Sequence, residues 1–266
     1  MGDKKVVVIT GGSKGIGRAT AELFYKKGYT VYSISRSACD LKGVNSVICE
    51  ITDGAWFKEA IDDIFNAEKR IDVLVNNAGG GISGSIEKTD PADARKLFEI
   101  NFFAQFEAVK YTVPYMRSRN SGKIIFIGSV AGALHVPFQA FYSASKAAVE
   151  ALSNCLRGEL APFNIKVTTI QPGDTRTNFT EKREKKFKEN DEDYGDRISR
   201  SIKIMEEDER KGMSPVKTAQ VIYKAVKSDN PKPVYTVGVS YIIFVILNKI
   251  LPKRLVLYIL NTIYAK

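Results

Sequence analysis

Three side chains between residues 129 and 146 have the types and spacing for a shared proton transfer. Tyr142 and Lys146 stand four residues apart in a run rich in helix-forming residues, so both should lie on one helical face. A free tyrosine titrates near ~10, and a neighbouring ammonium favours the phenolate and brings its pKa toward neutral pH. Ser129 follows an apolar run typical of a buried strand, where its hydroxyl could hold a carbonyl oxygen. Taken alone, the Tyr-x-x-x-Lys pair could also belong to an exposed helix face.

The elements at the start of the chain have the order strand, glycine-rich turn and helix. Residues 6–10 form an apolar, β-branched run, and residues 18–27 have a helical pattern. In the turn between them, glycines let the backbone approach a pyrophosphate closely, and the helix N-terminus offers free N–H groups. The turn that we expect to bind a dinucleotide reads Gly11-Gly12-Ser13-Lys14-Gly15-Ile16-Gly17.

Three motifs together give this chain a family resemblance. The Thr-Gly-x-x-x-Gly-x-Gly spacing from Thr10, the Asn-Asn-Ala-Gly run at residues 76–79, and Ser129 with Tyr142-x-x-x-Lys146 resemble the short-chain dehydrogenase/reductase family. The resemblance covers roughly residues 5–180. It implies an α/β fold of Rossmann type: one domain with a doubly wound, largely parallel sheet and helices on both faces. The active site should lie at the carboxyl edge of that sheet.

The resemblance also implies roles for four residues. In the family, the tyrosine that Tyr142 matches protonates a ketone as hydride arrives from the nicotinamide, while the residue at Ser129 hydrogen-bonds the ketone oxygen. Lys146 would lower the pKa of Tyr142 and bind the nicotinamide ribose. Asn101 matches the fourth catalytic residue, which holds a water that links the lysine to solvent. An asparagine inside a helix pattern otherwise needs a reason, because its side chain competes for backbone hydrogen bonds.

The end of the second strand predicts which dinucleotide is bound. An acidic residue there would bind the adenosine ribose hydroxyl, but the matching position is Ser35, followed by Arg36. Arg36 could be an ordinary surface charge, yet with Lys14 it offers two cations to a 2′-phosphate. The hydroxyls of Ser13, Ser35 and Ser37 could add hydrogen bonds. We therefore expect NADP(H).

The remaining cofactor contacts follow from the resemblance alone. Relatives commonly carry aspartate where Glu50 stands, and that aspartate contacts the adenine amine. The resemblance assigns the same contact to the longer side chain of Glu50. Asn77 matches a residue with a mainly structural role. The further positions that the resemblance assigns to the cofactor are Ile51, Asn76, Ala78, Gly79, Pro172, Gly173, Thr175 and Thr177, together with Tyr142 and Lys146.

Composition narrows the class of protein and its surroundings. The 266 residues carry 40 Lys and Arg against 30 Asp and Glu, a net charge of +10 that suits an anionic ligand, an acidic partner or an anionic membrane. The charge is scattered and no nucleic-acid-binding motif accompanies it, so we expect no nucleic acid partner. Three cysteines without metal-ligand spacing predict neither a disulfide framework nor a metal site. A reducing cytoplasm fits best, and the N-terminus has no export signal pattern.

The chain after the catalytic helix is expected to form a lid and a tail. We assign residues 1–238 to the catalytic domain, in which residues near 180–212 mix many charges with apolar residues at helical spacing. They predict either a mobile lid helix or a solvated insertion. Residues 239–266 are very apolar but interrupted at Pro252, which predicts two short helices rather than a membrane span. These helices could cover the substrate pocket, bury a partner subunit or lie on a membrane.

The substrate is predicted less sharply than the reaction. The apolar tail and the run from Leu134 to Phe138 favour a bulky apolar ketone or alcohol, such as a hydroxysteroid or bile acid. The alternatives are a 3-oxoacyl reductase acting on a carrier protein or lipid, and an NADP-binding regulator without turnover. We interpret His135 as part of the pocket wall. The family resemblance also implies a homo-oligomer, a dimer or a tetramer.

Overall fold

A parallel sheet forms the centre of the protein, whose computed structural model describes residues 4–187 and 189–265. In this part of the chain the strand order is β3-β2-β1-β4-β6-β7-β9, and each neighbouring pair is parallel. A separate two-stranded ribbon pairs β5 with β8. The strands are β1 Val6–Thr10, β2 Thr30–Ser35, β3 Asn45–Ile48, β4 Val73–Asn76, β5 Ile82–Ser83, β6 Gly122–Ile127, β7 Ile165–Pro172, β8 Glu184–Lys185 and β9 Val234–Val237.

Helices cover both faces of this sheet because the strands are apolar on both faces. On β1, Val6 and Val8 belong to one buried cluster, whereas Val7 and Ile9 belong to the other. A buried parallel strand therefore reads as a continuous apolar run rather than an alternating one. The helices are α1 Gly15–Lys26, α2 Gly54–Glu68, α3 Pro91–Phe98, α4 Ala104–Ser118, α5 Ala140–Glu159, α6 Phe179–Lys182, α7 Arg197–Lys211, α8 Pro215–Lys227, α9 Val239–Ile250 and α10 Lys253–Tyr264.

The strand order reverses at β1, which places a crevice at the carboxyl edge of the sheet. β1 pairs with β2 on one side and with β4 on the other, so the chain leaves the ends of β1 and β4 in opposite directions. The loop after β6 and the loop after β7 open onto the same edge. The expected single-domain α/β fold with a doubly wound parallel sheet is confirmed.

The segments after β7 pack over that edge. Helix α7 buries Ile198, Ile202 and Met205, which confirms the helical spacing expected there, and Tyr264 of α10 packs against this group. Pro252 lies between α9 and α10, so the tail forms two short helices as expected. Within the described residues, none of the helices is long and apolar enough to cross a membrane.

Candidate active site

Strand β6 and helix α5 bring Ser129, Tyr142 and Lys146 to one end of the crevice. Ser129 follows β6, and its hydroxyl oxygen accepts a hydrogen bond of 3.1 Å from the Ala131 amide, which starts a short 3₁₀ turn. Tyr142 and Lys146 share one face of α5, and the Lys146 Nζ lies 5.9 Å from the centre of the tyrosine ring. The Ser129 hydroxyl lies near the Tyr142 phenol and acts to lower its pKa. Lys146 donates a 2.9 Å hydrogen bond to the Ile127 carbonyl, so the strand end holds the amine in place.

Asn101 lies beside this group, inside a π-helical turn that joins α3 to α4. Its side chain is fully buried, accepts from the Gly80 amide at 2.8 Å, and donates to the Gly80 carbonyl and to Ser145 Oγ. A Cβ at Gly79 would come within 2.9 Å of Asn101 Oδ1 and 3.5 Å of Lys146 Nζ. Asn101 is thus a neighbour of the lysine, and the π turn explains an asparagine within a helix. It lies behind the cavity wall rather than on it.

Burial controls the protonation of the tyrosine and the lysine. It raises the pKa of Tyr142 to about 12, an effect that the hydrogen bond from Ser129 only partly offsets. Burial also lowers the pKa of Lys146 to about 8. The expected lowering of the tyrosine pKa by the lysine is therefore not found, because removal from water penalises both charged forms. At neutral pH the phenol keeps its proton, the state that a proton donor needs.

The turn between β1 and α1 has the backbone shape of an anion cradle. Gly11 and Gly15 have φ values of +68° and +55°, which side chains rarely adopt. A Cβ at Gly17 would collide with the Gly11 carbonyl oxygen, so the helix can approach the turn only with glycine there. The first turn of α1 has no acidic residue, and its first two residues line the cavity, where the N-terminus of a helix favours an anion. These features fit the pyrophosphate of a dinucleotide.

Positive charges and hydroxyls gather at the far end of this cradle. Lys14, Ser35 and Arg36 line the cavity, and the hydroxyls of Ser13 and Ser37 share a 3.2 Å hydrogen bond at its edge. The Arg36 guanidinium also lies 3.9 Å from the Glu50 carboxylate, an exposed and weak ion pair.

Sequence reasoning missed a further cation at this end, Lys182 of α6. Lys182 lines the same cavity, and burial, followed by the nearby Lys14 ammonium, lowers its pKa. Arg36 has a smaller effect of the same sign. Nothing in the local sequence pairs Lys182 with the glycine turn, because only the return of α6 across the edge brings them together. The three cations suit a ligand with a phosphate group in addition to the pyrophosphate.

Most of the other residues assigned to the cofactor also line the cavity. They are Gly11, Ser13, Gly15, Ile16, Ser37, Glu50, Ile51, Ala78, Gly79, Pro172, Gly173, Thr175 and Thr177.

Two residues that were assigned to the cofactor, Gly17 and Asn76, do not line the cavity. Gly17 packs against the turn itself. Asn76 is fully buried and donates a 3.2 Å hydrogen bond to the Gln105 carbonyl, so it holds α4 against β4. Its neighbour Asn77 lines the cavity and donates to the carbonyls of Thr10 and Gly11, which supports its expected structural role.

The substrate end of the cavity is mostly apolar. The whole cavity has a volume of about 890 Å³. Residues of the tail border this cavity, as they must if the tail helices cover the substrate pocket. His135 is exposed and lies outside its lining, so the pocket-wall interpretation of this residue is wrong. The apolar lining residues around Tyr142 are Leu134, Val136, Phe179, Met205, Phe244, Leu247, Leu251, Val256, Ile259, Leu260 and Ile263.

A few polar contacts fasten the tail to the rest of the protein. Tyr241 of α9 donates to the carboxylate of Asp174, whose pKa is raised by burial. Asn248 donates a 3.1 Å hydrogen bond to the Ala133 carbonyl, in the loop after Ser129. A Cβ at Gly173 would collide with the Tyr241 ring, so only glycine lets this ring pack on the loop after β7.

The segment from α6 to α7 has its own polar anchor. Arg183, which follows α6, forms an ion pair with Glu209 of α7, and Thr180 donates to the same carboxylate at 2.7 Å. The ring of Phe179 lies 5.5 Å from the ring of Tyr142. Helix α6 is therefore in contact with both Tyr142 and α7.

Cysteines and metal ligands add no further site in residues 4–187 and 189–265. Cys39, Cys49 and Cys155 are free. No group of three histidine, cysteine, aspartate or glutamate residues in these ranges could hold a metal ion.

Comparisons with known proteins agree with this geometry. The family model described as short chain dehydrogenase matches residues 5–188. The chain is 38% identical over 264 residues to the 3-ketodihydrosphingosine reductase of Bacteroides thetaiotaomicron, and the match covers 98% of both chains. It is 35% identical over 196 residues to the 3-oxoacyl-(acyl-carrier-protein) reductase of Thermotoga maritima, covering 70% of this chain and 80% of that one. A crystal structure of a short-chain dehydrogenase from Streptomyces avermitilis has a TM-score of 0.83 at 31% identity, covering 92% of each chain.

Proposed function

Since the chain belongs to the short-chain dehydrogenase family, and is an oxidoreductase of a fold that binds a nicotinamide cofactor, we propose that it reduces a long-chain lipid ketone with NADPH. The reverse reaction oxidises the matching secondary alcohol. The observation that carries this proposal is the position of Ser129, Tyr142 and Lys146 at the meeting point of the glycine cradle and the apolar cavity.

The proposed mechanism assigns one step to each side chain. The cofactor supplies the hydride that becomes bonded to the carbonyl carbon. Tyr142 donates its phenolic proton to the carbonyl oxygen, so the C=O double bond becomes a C–O single bond while one C–H and one O–H bond form. Ser129 hydrogen-bonds the same oxygen and holds it near the phenol. Lys146, fixed by the Ile127 carbonyl, stabilises the phenolate that remains and binds the nicotinamide ribose.

Asn101 has a positioning role in this proposal. It holds Gly80 by two hydrogen bonds and lies next to the lysine amine across Gly79. A water bound at this place could link Lys146 to solvent and return a proton to Tyr142 after each turnover. The π turn keeps the amide side chain in this orientation.

The preference for NADP(H) is supported by three cations at the adenosine end. Arg36, Lys14 and Lys182 line the cavity there, and no carboxylate stands at position 35 to repel a phosphate. Ser13, Ser35 and Ser37 could donate hydrogen bonds to the phosphate oxygens. The Glu50 carboxylate pairs with Arg36, but this ion pair is exposed, so it leaves the guanidinium free to meet a phosphate.

The proposed substrate is a linear lipid ketone rather than the hydroxysteroid or bile acid that the sequence alone favoured. The named relatives act on 3-ketodihydrosphingosine and on 3-oxoacyl chains, and the first of them matches 98% of this chain, the tail included. The apolar side chains of α9 and α10 border the cavity, which suits a long hydrocarbon chain beyond the reacting carbonyl. We propose that residues 1–238 form the catalytic domain, with a lid near 180–212, and that residues 239–266 form its apolar extension.

Two other functions make different demands on this cavity. A 3-oxoacyl reductase of carrier proteins is favoured by the net charge of +10, which suits an acidic carrier. An NADP-binding regulator without turnover would not need the group formed by Ser129, Tyr142 and Lys146. One panel of ketone substrates, described next, tests both of these alternative functions.

The experiment is a ketone panel with purified protein and NADPH. It compares 3-ketodihydrosphingosine, a 3-oxoacyl chain on acyl carrier protein, a steroid ketone and a small cyclic ketone, with NADPH oxidation as the readout. We expect the highest kcat/KM for the long-chain lipid ketone. A higher value for the carrier-bound chain or the steroid would contradict the substrate proposal, and no ketone-dependent oxidation across the panel would favour the regulator.

A further inference from the structure

The two tail helices expose an unusually apolar outer surface. We define the outer tail face as Val239, Ile242, Ile243, Ile246, Ile250, Leu255 and Leu257, which are between 40% and 77% exposed and do not line the cavity. Single exposed apolar residues are normal on a protein surface, but a contiguous group of this kind marks an interaction site. In the tail, only Val245 and Val256 are buried among the large apolar residues.

The charged side chains of the tail helices are all of one sign. Lys249, Lys253 and Arg254 are exposed at the hinge between α9 and α10. The last acidic residue of the sequence is Asp229, so the tail carries no carboxylate side chain. The acids nearest the tail, Asp174 and Asp208, interact with Tyr241 and Tyr264 on its inner side. An apolar face on helices whose charged side chains are all basic is complementary to the headgroups and acyl chains of an anionic bilayer.

The cavity and the outer tail face are continuous. Phe244 and Leu247 of α9, with Ile259 and Ile263 of α10, line the cavity and are also between 37% and 49% exposed. The apolar wall of the cavity therefore continues to the surface between the two helices. A hydrocarbon chain could pass along these residues without crossing water.

We propose that the outer tail face docks into the surface of an anionic phospholipid bilayer, and that the substrate cavity opens onto this bilayer. Each helix has 12 residues, a length of about 18 Å, so they lie in the interface rather than cross it. The docking stands on its own, whereas direct uptake of a lipid ketone from the bilayer rests on the proposed function.

A second copy of this chain is the competing occupant of the same face. In a two-fold dimer the face would meet itself, which would bring two sets of Lys249, Lys253 and Arg254 together without a tail carboxylate to pair them. Like charges brought together at an interface oppose association. An anionic bilayer instead attracts all three cations.

The docking test is flotation with vesicles of equal parts phosphatidylglycerol and phosphatidylcholine, compared with phosphatidylcholine alone. We expect the full chain to float with the anionic vesicles. Ile243→Ser with Ile246→Ser should weaken binding at least tenfold. Lys249→Gln, Lys253→Gln and Arg254→Gln together should weaken it on the order of 100-fold, because each cation adds about one fivefold step. Ile86→Ser with Val216→Ser, exposed apolar sites outside the tail, is the matched control and should float like the wild type.

Two results would overturn the docking proposal. One is wild-type protein that stays unbound on both vesicles. The other is a stable dimer by light scattering that the Ile243→Ser, Ile246→Ser variant dissociates while vesicle binding is absent, which assigns the face to a second copy. Circular dichroism spectra, measured in parallel, show that the variants remain folded. Since flotation needs no substrate, its failure is distinguishable from failure of the proposed function.

The uptake step is tested with the lipid ketone presented in anionic vesicles. We expect the Ile243→Ser, Ile246→Ser variant to lose at least tenfold in kcat/KM for this substrate and less than twofold for the small water-soluble ketone. Equal activity of variant and wild type on the vesicle-borne ketone would contradict uptake from the bilayer.

Discussion

The cofactor end and the substrate end of one cavity are built in different ways. At the cofactor end, backbone carbonyls and buried amides fix the functional groups, as Ile127 does for Lys146 and Thr10 for Asn77. At the substrate end, apolar helices lie over the edge with few polar anchors, such as the bond from Asn248 to Ala133. The reaction therefore depends on the sheet, whereas the choice of substrate depends on segments added to it. Changes at the two ends should affect different kinetic constants.

The largest effect is expected for Tyr142→Phe, at the junction of the two ends. The change removes the phenolic proton but keeps the ring that packs near Phe179. We expect kcat to fall on the order of 10³-fold while NADPH affinity stays within twofold, measured by turnover and by fluorescence titration. Tyr25→Phe, on an exposed part of α1, is the control. Near-normal turnover of Tyr142→Phe would remove the phenol from the mechanism.

The next largest effect concerns the stability contribution of Lys146 as pH changes. Burial lowers its folded-state pKa to about 8, below the unfolded value of 10.5, so between these values the unfolded chain binds the extra proton. Wild-type stability relative to Lys146→Met should then rise by about 3 kcal/mol from pH 7 to pH 10.5, at 1.36 kcal/mol per pKa unit. The raised pKa of Tyr142 lowers the stability of both proteins above pH 10, so this effect cancels when the stability of Lys146→Met is subtracted from that of the wild type.

Denaturant unfolding of both proteins across this pH range measures that difference. The hydrogen bond to the Ile127 carbonyl is absent from the variant at each pH, so it shifts the difference by a constant and leaves the slope unchanged. A difference that stays flat with pH would show that Lys146 keeps its ordinary pKa. Turnover of the variant should be at least 100-fold lower at pH 7.

The phosphate end should give a smaller effect, on cofactor choice. Ser35→Asp with Arg36→Ser places a carboxylate where the ribose hydroxyl would bind and removes a cation from the cavity. We expect the ratio of kcat/KM for NADPH to that for NADH to fall on the order of 100-fold. Lys182→Gln should lower the same ratio about fivefold. Arg18→Ser removes an arginine paired with Asp40 outside the cavity and should leave the ratio unchanged. A wild type that already prefers NADH would contradict the proposed phosphate site.

The smallest effect is expected at the substrate end and should depend on chain length. Phe244→Ala with Leu247→Ala removes apolar wall from the cavity, and binding weakens by about 25 cal/mol for each Å² of substrate surface that this wall would have covered. We expect about a tenfold loss of kcat/KM for a long-chain ketone and less than a twofold change for a small cyclic ketone. Ile86→Ala is the surface control. An equal loss for both ketones would show that Phe244 and Leu247 do not bind the hydrocarbon chain of the substrate.

The sequence predicted those parts of the molecule that depend on short-range pattern. The apolar strand, glycine turn and helix at residues 6–27 are adjacent in the chain, and Tyr142 and Lys146 share a face because helical spacing requires it. Each of these features is decided within a few residues. They fold as expected because the local preference and the buried sheet favour the same structure.

Other features depend on tertiary packing that no short pattern contains. Asn76 and Asn77 are neighbours, and only the packing of α4 decides that the first is buried and the second lines the cavity. Lys182 reaches the glycine turn because α6 returns across the sheet edge. The pKa of Tyr142 is raised by burial under distant segments, and the lysine four residues away does not lower it. His135 is exposed although both of its neighbours line the cavity.

Helix α6 links the two ends in a way that should appear in the kinetics. Within one short helix and the residue after it, Lys182 faces the cations of the phosphate end, Phe179 lies beside Tyr142, and Arg183 pairs with Glu209 of α7. Displacement of α6 would therefore alter the surroundings of both reactants at once. A nucleotide bound first would fix Lys182, and with it the Phe179 ring beside Tyr142, so we expect nucleotide and ketone to bind in that order rather than at random. Product-inhibition patterns measure that order, and α6 would be the element that couples nucleotide binding to the binding and release of the ketone.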